Sequence, residues 1–146
     1  MAKAVIENVV DIDRAPADVF DYASDHRHEM EWNPKMRGIR KLTEGPVRKG
    51  TRFEMEFIPG RRVVTTYAEF ERPDRWQVAG NTLGMHITLG GKVTPTPAGS
   101  RLTLRTEFQA EGPLALALPL VRRRMAGDMQ RDVERIRDIL ESQPAR

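Results

Sequence analysis

The residue types able to do chemistry in this chain gather in the segment "HRHEMEWNPKM", His26 to Met36, which holds two histidines, two glutamates and one of the chain's two tryptophans. Imidazole and carboxylate groups bind metals or move protons near neutral pH. A metal site would draw on His26, His28 and Glu29, with the remote His86 added. His26 and Glu29 are three residues apart and share a helical face, but His28 does not, so the set falls short of a ligand cluster. A solvated helix end explains it more simply, and no metal is expected. General-base or nucleophilic catalysis needs a hydroxyl beside a base in a cleft. The candidates are Tyr22, His26, Glu29 and His86, and the expectation is that they lie at the surface.

Composition narrows the remaining classes. With 146 residues the chain is expected to form one domain, residues 1–146, large enough for a real core and an internal cavity. Twenty-four basic against 21 acidic side chains leave a net charge of +3, which is no nucleic-acid signature. "RRR" at 122 to 124 is short and has no aromatic platform beside it, so it reads as a wetted helix flank, and no nucleic-acid partner is expected. The chain has no cysteine, which excludes disulfides, thiolate catalysis and cysteine-bound zinc and fits a cytoplasmic setting. The first residues lack the apolar run of a secretory signal. "PLALALPLV", Pro113 to Val121, is about half the length of a membrane span.

The elements that would position these groups follow from periodicity. "AVIENVVDI" (4–12) reads as a first strand. Pro16 opens a short helix with Val19, Phe20 and Ala23 on one face, and a second brief helix covers His26 to Glu31, stopped by Asn33-Pro34. From Arg37 to Ala110 the pattern alternates, giving six or seven antiparallel strands in a meander. After Gly112-Pro113, the apolar series Leu114, Leu118, Val121, Met125, Met129, Val133, Ile136 and Leu140 marks one long helix, with Pro119 expected to kink or loosen its first turns.

Residues that share a face can be read from hairpin parity. If Pro59-Gly60 centres its turn, Phe57 lies opposite Arg62, Met55 opposite Val64 and Phe53 opposite Thr66, while Tyr67 points outward. A three-residue turn at Pro73-Asp74-Arg75 carries the inner face through Ala68 and Phe70 to Trp76 and Val78, whereas a two-residue turn would put Gln77 and Ala79 inside. Met85, Ile87 and Leu89 pair with Leu102, Leu104 and Phe108, with Thr106 among them, and His86 falls on the outer face. The predicted interior is apolar and methionine-rich, with no carboxylate or histidine deep inside. Methionine lines adaptable ligand surfaces and also fills ordinary core gaps, so Met55, Met85, Met125 and Met129 fit either role.

The chain resembles the START-like (SRPBCC) helix-grip superfamily, and within it the polyketide cyclase/dehydrase and lipid transport proteins. The resemblance rests on "IDRAPADVFDYASD", on Trp32 followed by Pro34, on the strand-turn-strand around "PAGSRLTL" and on "GPL" at the start of the long helix. It implies an α+β helix-grip fold: a curved antiparallel sheet of six or seven strands wrapped around a long C-terminal helix, with two short helices after the first strand. It also implies an apolar cavity between sheet and helix, with His26–Met36 as its lid and Trp32 turned toward the mouth. Together with parity, this gives Trp32, Phe53, Met55, Phe57, Val64, Thr66 and Phe70 as candidate ligand-binding residues on one side. Met85, Ile87, Leu89, Leu104, Thr106, Met125 and Met129 supply the other. The implied function is binding or transport of a hydrophobic small molecule, lipid-like or polyketide-like, without a cofactor. The alternative is an aromatic polyketide cyclase/dehydrase, and self-association as a homodimer is compatible with both.

Overall fold

The structure, a computed structural model, describes residues 2–144. Seven strands form one antiparallel sheet in the order β1-β7-β6-β5-β4-β3-β2: β1 Ala2–Ile12, β2 Gly38–Lys41, β3 Arg52–Ile58, β4 Arg61–Glu71, β5 Arg75–Thr82, β6 Met85–Pro95 and β7 Ser100–Ala110. Three helices complete it: α1 Pro16–Ala23, α2 Glu29–Trp32 and α3 Leu118–Ser142. This is the helix-grip arrangement, with both short helices between β1 and β2.

Local chemistry explains the boundaries. In β1, Ala4, Ile6, Asn8, Val10 and Ile12 are buried while Glu7, Val9 and Asp11 face outward, the period-two pattern of a half-covered strand. Pro16 occupies the first turn of α1, where its missing N–H costs nothing. Asp25 accepts a hydrogen bond from the backbone N–H of Arg27 and so caps a 3-10 turn, His26–His28, that leads into α2. Pro119 likewise sits at the start of α3 rather than inside it, because Gly112–Ala117 forms a separate 3-10 stretch. The turns before Pro119 are thus 3-10 rather than α, and proline is placed where the α-helix has no donor to lose.

Hairpin parity is corrected by two bulges. β3 pairs with β4 as Met55↔Val63 and Phe53↔Thr65, with a register shift between Glu56 and Ile58. The extra residue moves β4 by one position, so Val63, Thr65 and Tyr67 are buried and Val64 and Thr66 are exposed. Tyr67, expected outside, is 1% exposed. A second shift between Tyr67 and Glu69 restores phase: Phe70 pairs with Trp76, a three-residue turn joins Glu71 to Arg75, and Trp76 and Val78 face inward as expected.

The core divides into two groups. One joins Phe20, Phe53, Tyr67, Trp76, Val78 and Leu102 to the C-terminal half of α3 through Val133, Ile136 and Leu140. Phe20 meets Phe70 and Trp76 edge-on at ring separations of 5.2 and 5.5 Å. Opposite Trp76 stands Gly91, where a Cβ would come within 2.1 Å of the indole, so only glycine leaves room for that ring. The other group joins Ala4, Ile6 and Phe108 to Leu118 at the start of α3. The N-terminal half of α3 is tied to β1, where Asn8 Nδ2 donates to the Ala126 carbonyl and Arg122 to the Val5 carbonyl, and Met125 and Met129 pack in part against this second group.

Candidate ligand cavity

A cavity of about 320 Å³ lies between the sheet and α3, within the range of small-molecule sites. Its wall is built from sheet positions Met55, Val63, Val78, Met85, Ile87 and Leu89 and from Val121, Met125 and Met129 of α3. Several of these apolar side chains are only half-buried, although their periodicity reads as core. They face open space where the neighbouring Val133 and Ile136, one and two turns further along the same stripe, are fully packed. Exposed Arg61, Leu83 and Lys35 also line it and mark where it reaches solvent.

Ten of the fourteen candidate residues line this cavity: Trp32, Met55, Phe57, Met85, Ile87, Leu89, Leu104, Thr106, Met125 and Met129. Phe53 is fully buried in the aromatic part of the core, within 5.9 Å of the Tyr67 ring, and Phe70 packs against Phe20. Val64 and Thr66 are on the opposite face, displaced by the bulge in β3, and Val63 and Thr65 take their place. Trp32 is buried in the wall, 9% exposed, instead of standing open at the mouth.

The largest correction concerns polar groups. His26 and Glu29 are not on a solvated helix end: they are 5% and 4% exposed and line the cavity, together with Asn33 and the buried Asp132 of α3. The 3-10 turn and α2 present both side chains inward, with His26 Nδ1 3.5 Å from Glu29 Oε1. The geometry between them does not make a hydrogen bond, and Nδ1 has no other partner. Asn33 Nδ2 donates to Glu29 Oε2 at 2.8 Å, and Arg135 donates to Asp132 at 2.8 Å. The Tyr67 hydroxyl donates to the Ser24 carbonyl and accepts from the His26 backbone N–H, so it is fully engaged.

Burial sets the ionisation of this cluster. Desolvation pushes the Glu29 carboxyl up to about 7, with the Asp132 charge adding to the shift and the Asn33 hydrogen bond opposing it. Desolvation drives His26 down to about 4 despite the nearby Asp25. Burial also raises the Tyr67 phenol and the Asp132 carboxyl. Between about pH 4 and about 7 desolvation accordingly favours the uncharged form of both His26 and Glu29. Two sequence signals point to the cluster: the three-residue spacing of His26 and Glu29, and a carboxylate at 132, three residues beyond Met129 and four before Ile136, within the apolar stripe of α3.

His86 lies elsewhere, on the exposed face of β6, its Nδ1 3.0 Å from Asn81 Oδ1. His28 stacks on Tyr22 at 4.7 Å and meets the Tyr22 carbonyl. Among the described residues no three His, Cys, Asp or Glu side chains converge on a metal position. None of their helices is long and apolar enough to cross a membrane.

A curved sheet gripping one long helix over an apolar cavity with a buried polar cluster defines a helix-grip cavity protein. The chain belongs to the polyketide cyclase/dehydrase and lipid transport family, whose profile matches residues 3–141. Solved structures that share the fold include the following three. The di-domain ARO/CYC StfQ from the steffimycin biosynthetic pathway has a TM-score of 0.78 at 16% identity over 97% of this chain, which spans 52% of StfQ, about half its length. TTHA0849 from Thermus thermophilus gives a TM-score of 0.74 at 15% identity, covering 97% of this chain and 99% of that one. Norcoclaurine synthase from Thalictrum flavum, solved with dopamine and hydroxybenzaldehyde, gives 0.71 at 15% identity, covering 99% of this chain and 90% of that one. At these identities the likeness establishes the fold alone. No curated protein matches the chain in sequence.

Proposed function

We propose that the protein binds a hydrophobic small molecule, lipid-like or polyketide-like, in the cavity between sheet and α3. The observation that carries this reading is the row of half-buried apolar side chains, Met85, Ile87, Leu89, Leu104, Met125 and Met129, around about 320 Å³ of space. Collapse of α3 onto the sheet would bury them at about 25 cal/mol per Å². The two packed groups, with the hydrogen bonds from Asn8 to Ala126 and from Arg122 to Val5, fix the helix where it is instead. An apolar ligand recovers that burial without moving the helix. The test is mass spectrometry of the protein under native conditions, followed by titration of any co-purified compound in a Trp76→Phe background, where Trp32 reports alone. Met125→Arg should abolish the emission change while leaving thermal unfolding near that of the parent. An unchanged titration in the arginine variant, or no response to lipids, sterols and aromatic polyketide analogues, removes the reading.

One observation favours the cyclase/dehydrase alternative: Glu29, a buried carboxyl raised to about 7, lines the same cavity. A group that gives and takes a proton near neutrality is what aldol closure and dehydration of a poly-β-keto chain require. The shape of the cavity would supply orientation.

A further inference from the structure

We infer that the Glu29 end of the cavity is an anchor for one uncharged oxygen of the ligand, a ketone carbonyl or a hydroxyl, so that the molecule bound is an apolar skeleton with a polar leading end. This rests on the cavity-binding reading above and adds the ligand's chemical class to it.

The polar groups at the cavity wall and behind it divide into those already partnered and those left over. Asn33 holds Glu29 Oε2, Arg135 holds Asp132, and the Tyr67 hydroxyl is taken by Ser24 and His26. Asn8 Nδ2 donates to the Ala126 carbonyl and to Gln130 Oε1. Left over are Glu29 Oε1 and three buried atoms without any hydrogen-bond partner, His26 Nδ1, Trp32 Nε1 and Thr65 Oγ1. All four belong to side chains that line the cavity and are at least nine-tenths buried. His26 Nδ1, Trp32 Nε1 and Thr65 Oγ1 are closed off from the cavity space, so Glu29 Oε1 is the leftover atom a ligand oxygen can meet. An apolar wall alone has no use for it, because a buried polar group without a partner disfavours the folded state.

The chemistry of that leftover atom selects the ligand. A protonated Glu29 donates through Oε1. A carbonyl or hydroxyl oxygen answers donors, whereas a ligand carboxylate would meet two acidic side chains, Glu29 and Asp132. The charged and titratable groups facing Glu29 are Asp132 on α3, held by Arg135, with Asp128 and its partners Lys35 and Arg131 nearby. On the 3-10 turn they are His26, with Asp25 and Arg27 before and after it, and on β4 Tyr67. None supplies a buried free cation, so protonation is what relieves Glu29, and its carboxyl titrates at about 7.

Calorimetry with the full chain and two probes of one shape tests this: 2-acetylnaphthalene, a neutral ketone, and 2-isopropenylnaphthalene, its hydrocarbon counterpart. At about pH 6 the ketone should bind about tenfold more tightly, the equivalent of one hydrogen bond. By about pH 8, where Glu29 is mostly ionised, the preference should shrink about tenfold. Glu29→Gln, whose amide donates at every pH, should keep the preference and lose its pH dependence; Glu29→Leu should lose the preference and retain hydrocarbon binding. Equal affinity of the two probes for the unaltered protein at about pH 6 overturns the anchor while leaving the cavity reading intact. So does a preference that survives in Glu29→Leu or still falls with pH in Glu29→Gln. A preference that grows with pH also overturns it. If neither probe binds at any pH, the cavity reading fails and the anchor with it.

Discussion

Replacing either member of the buried His26–Glu29 pair should give the protein a steep pH-dependent stability that the unaltered chain lacks. His26 titrates at about 4 when folded against an ordinary 6.5, because desolvation disfavours its cation. A lowered histidine means the unfolded chain binds more protons, so its penalty is absent above about pH 6.5 and grows as pH falls to about 4. Glu29 titrates at about 7 when folded against an ordinary 4.5. There the folded chain binds more protons, and its penalty is absent below about pH 4.5 and grows as pH rises through about 7. At about 1.4 kcal/mol for each pH unit between folded and unfolded values, each penalty reaches about 3 kcal/mol. The two run in opposite directions over the same interval, so their sum stays nearly constant. Glu29→Gln should leave only the His26 profile, with stability rising by about 3 kcal/mol, or about 10 °C in Tm, from about pH 4 to 6.5. His26→Gln should leave only the Glu29 profile, with stability falling by a similar amount from about pH 4.5 to 7. Urea unfolding at several pH values, each referred to the double variant to remove all other titrations, reads both slopes. If the pair were instead a buried ion pair at 3.5 Å, each single variant would lose most stability in the middle of the range. That outcome, or two flat profiles, would refute the reasoning.

Other consequences are simpler. Gly91→Ala places a methyl within 2.1 Å of the Trp76 ring, so thermal unfolding should show a loss of about 1–3 kcal/mol and tryptophan emission should shift as the indole is displaced. Tyr67→Phe strips the buried Ser24 carbonyl and His26 N–H of their shared partner and should cost about 1–3 kcal/mol by chemical denaturation. The bulge in β3 is tested by neighbours in sequence: Thr65→Asp should cost several kcal/mol, about what an uncompensated buried charge does, while Thr66→Asp should stay within about 0.5 kcal/mol. Equal effects at 65 and 66 would mean the register of β4 is not the one described.

Periodicity and punctuation in the chain carry most of the architecture. Alternation in β1 and β3, proline at the head of α1, Asn33-Pro34 after α2 and the apolar stripe of α3 are local properties, and each element formed close to where those signals put it. Trp76 and Val78 faced inward as read because a second shift in β4 cancels the first, and Met85, Ile87 and Leu89 did so because their apolar alternation matches that of β7. Parity failed in β4, because a bulge is an extra residue with no distinctive composition and each one flips every following side chain. Burial of His26 and Glu29 was decided only by tertiary packing. Their spacing showed one shared face, but whether that face met water depended on how the turn before α2 docks over β4 and α3, which no local pattern records. The same holds for ionisation: the residue types are in the sequence, whereas their desolvation, and the neighbouring Asp132 from more than a hundred residues away, exist only once the sheet has closed around the helix.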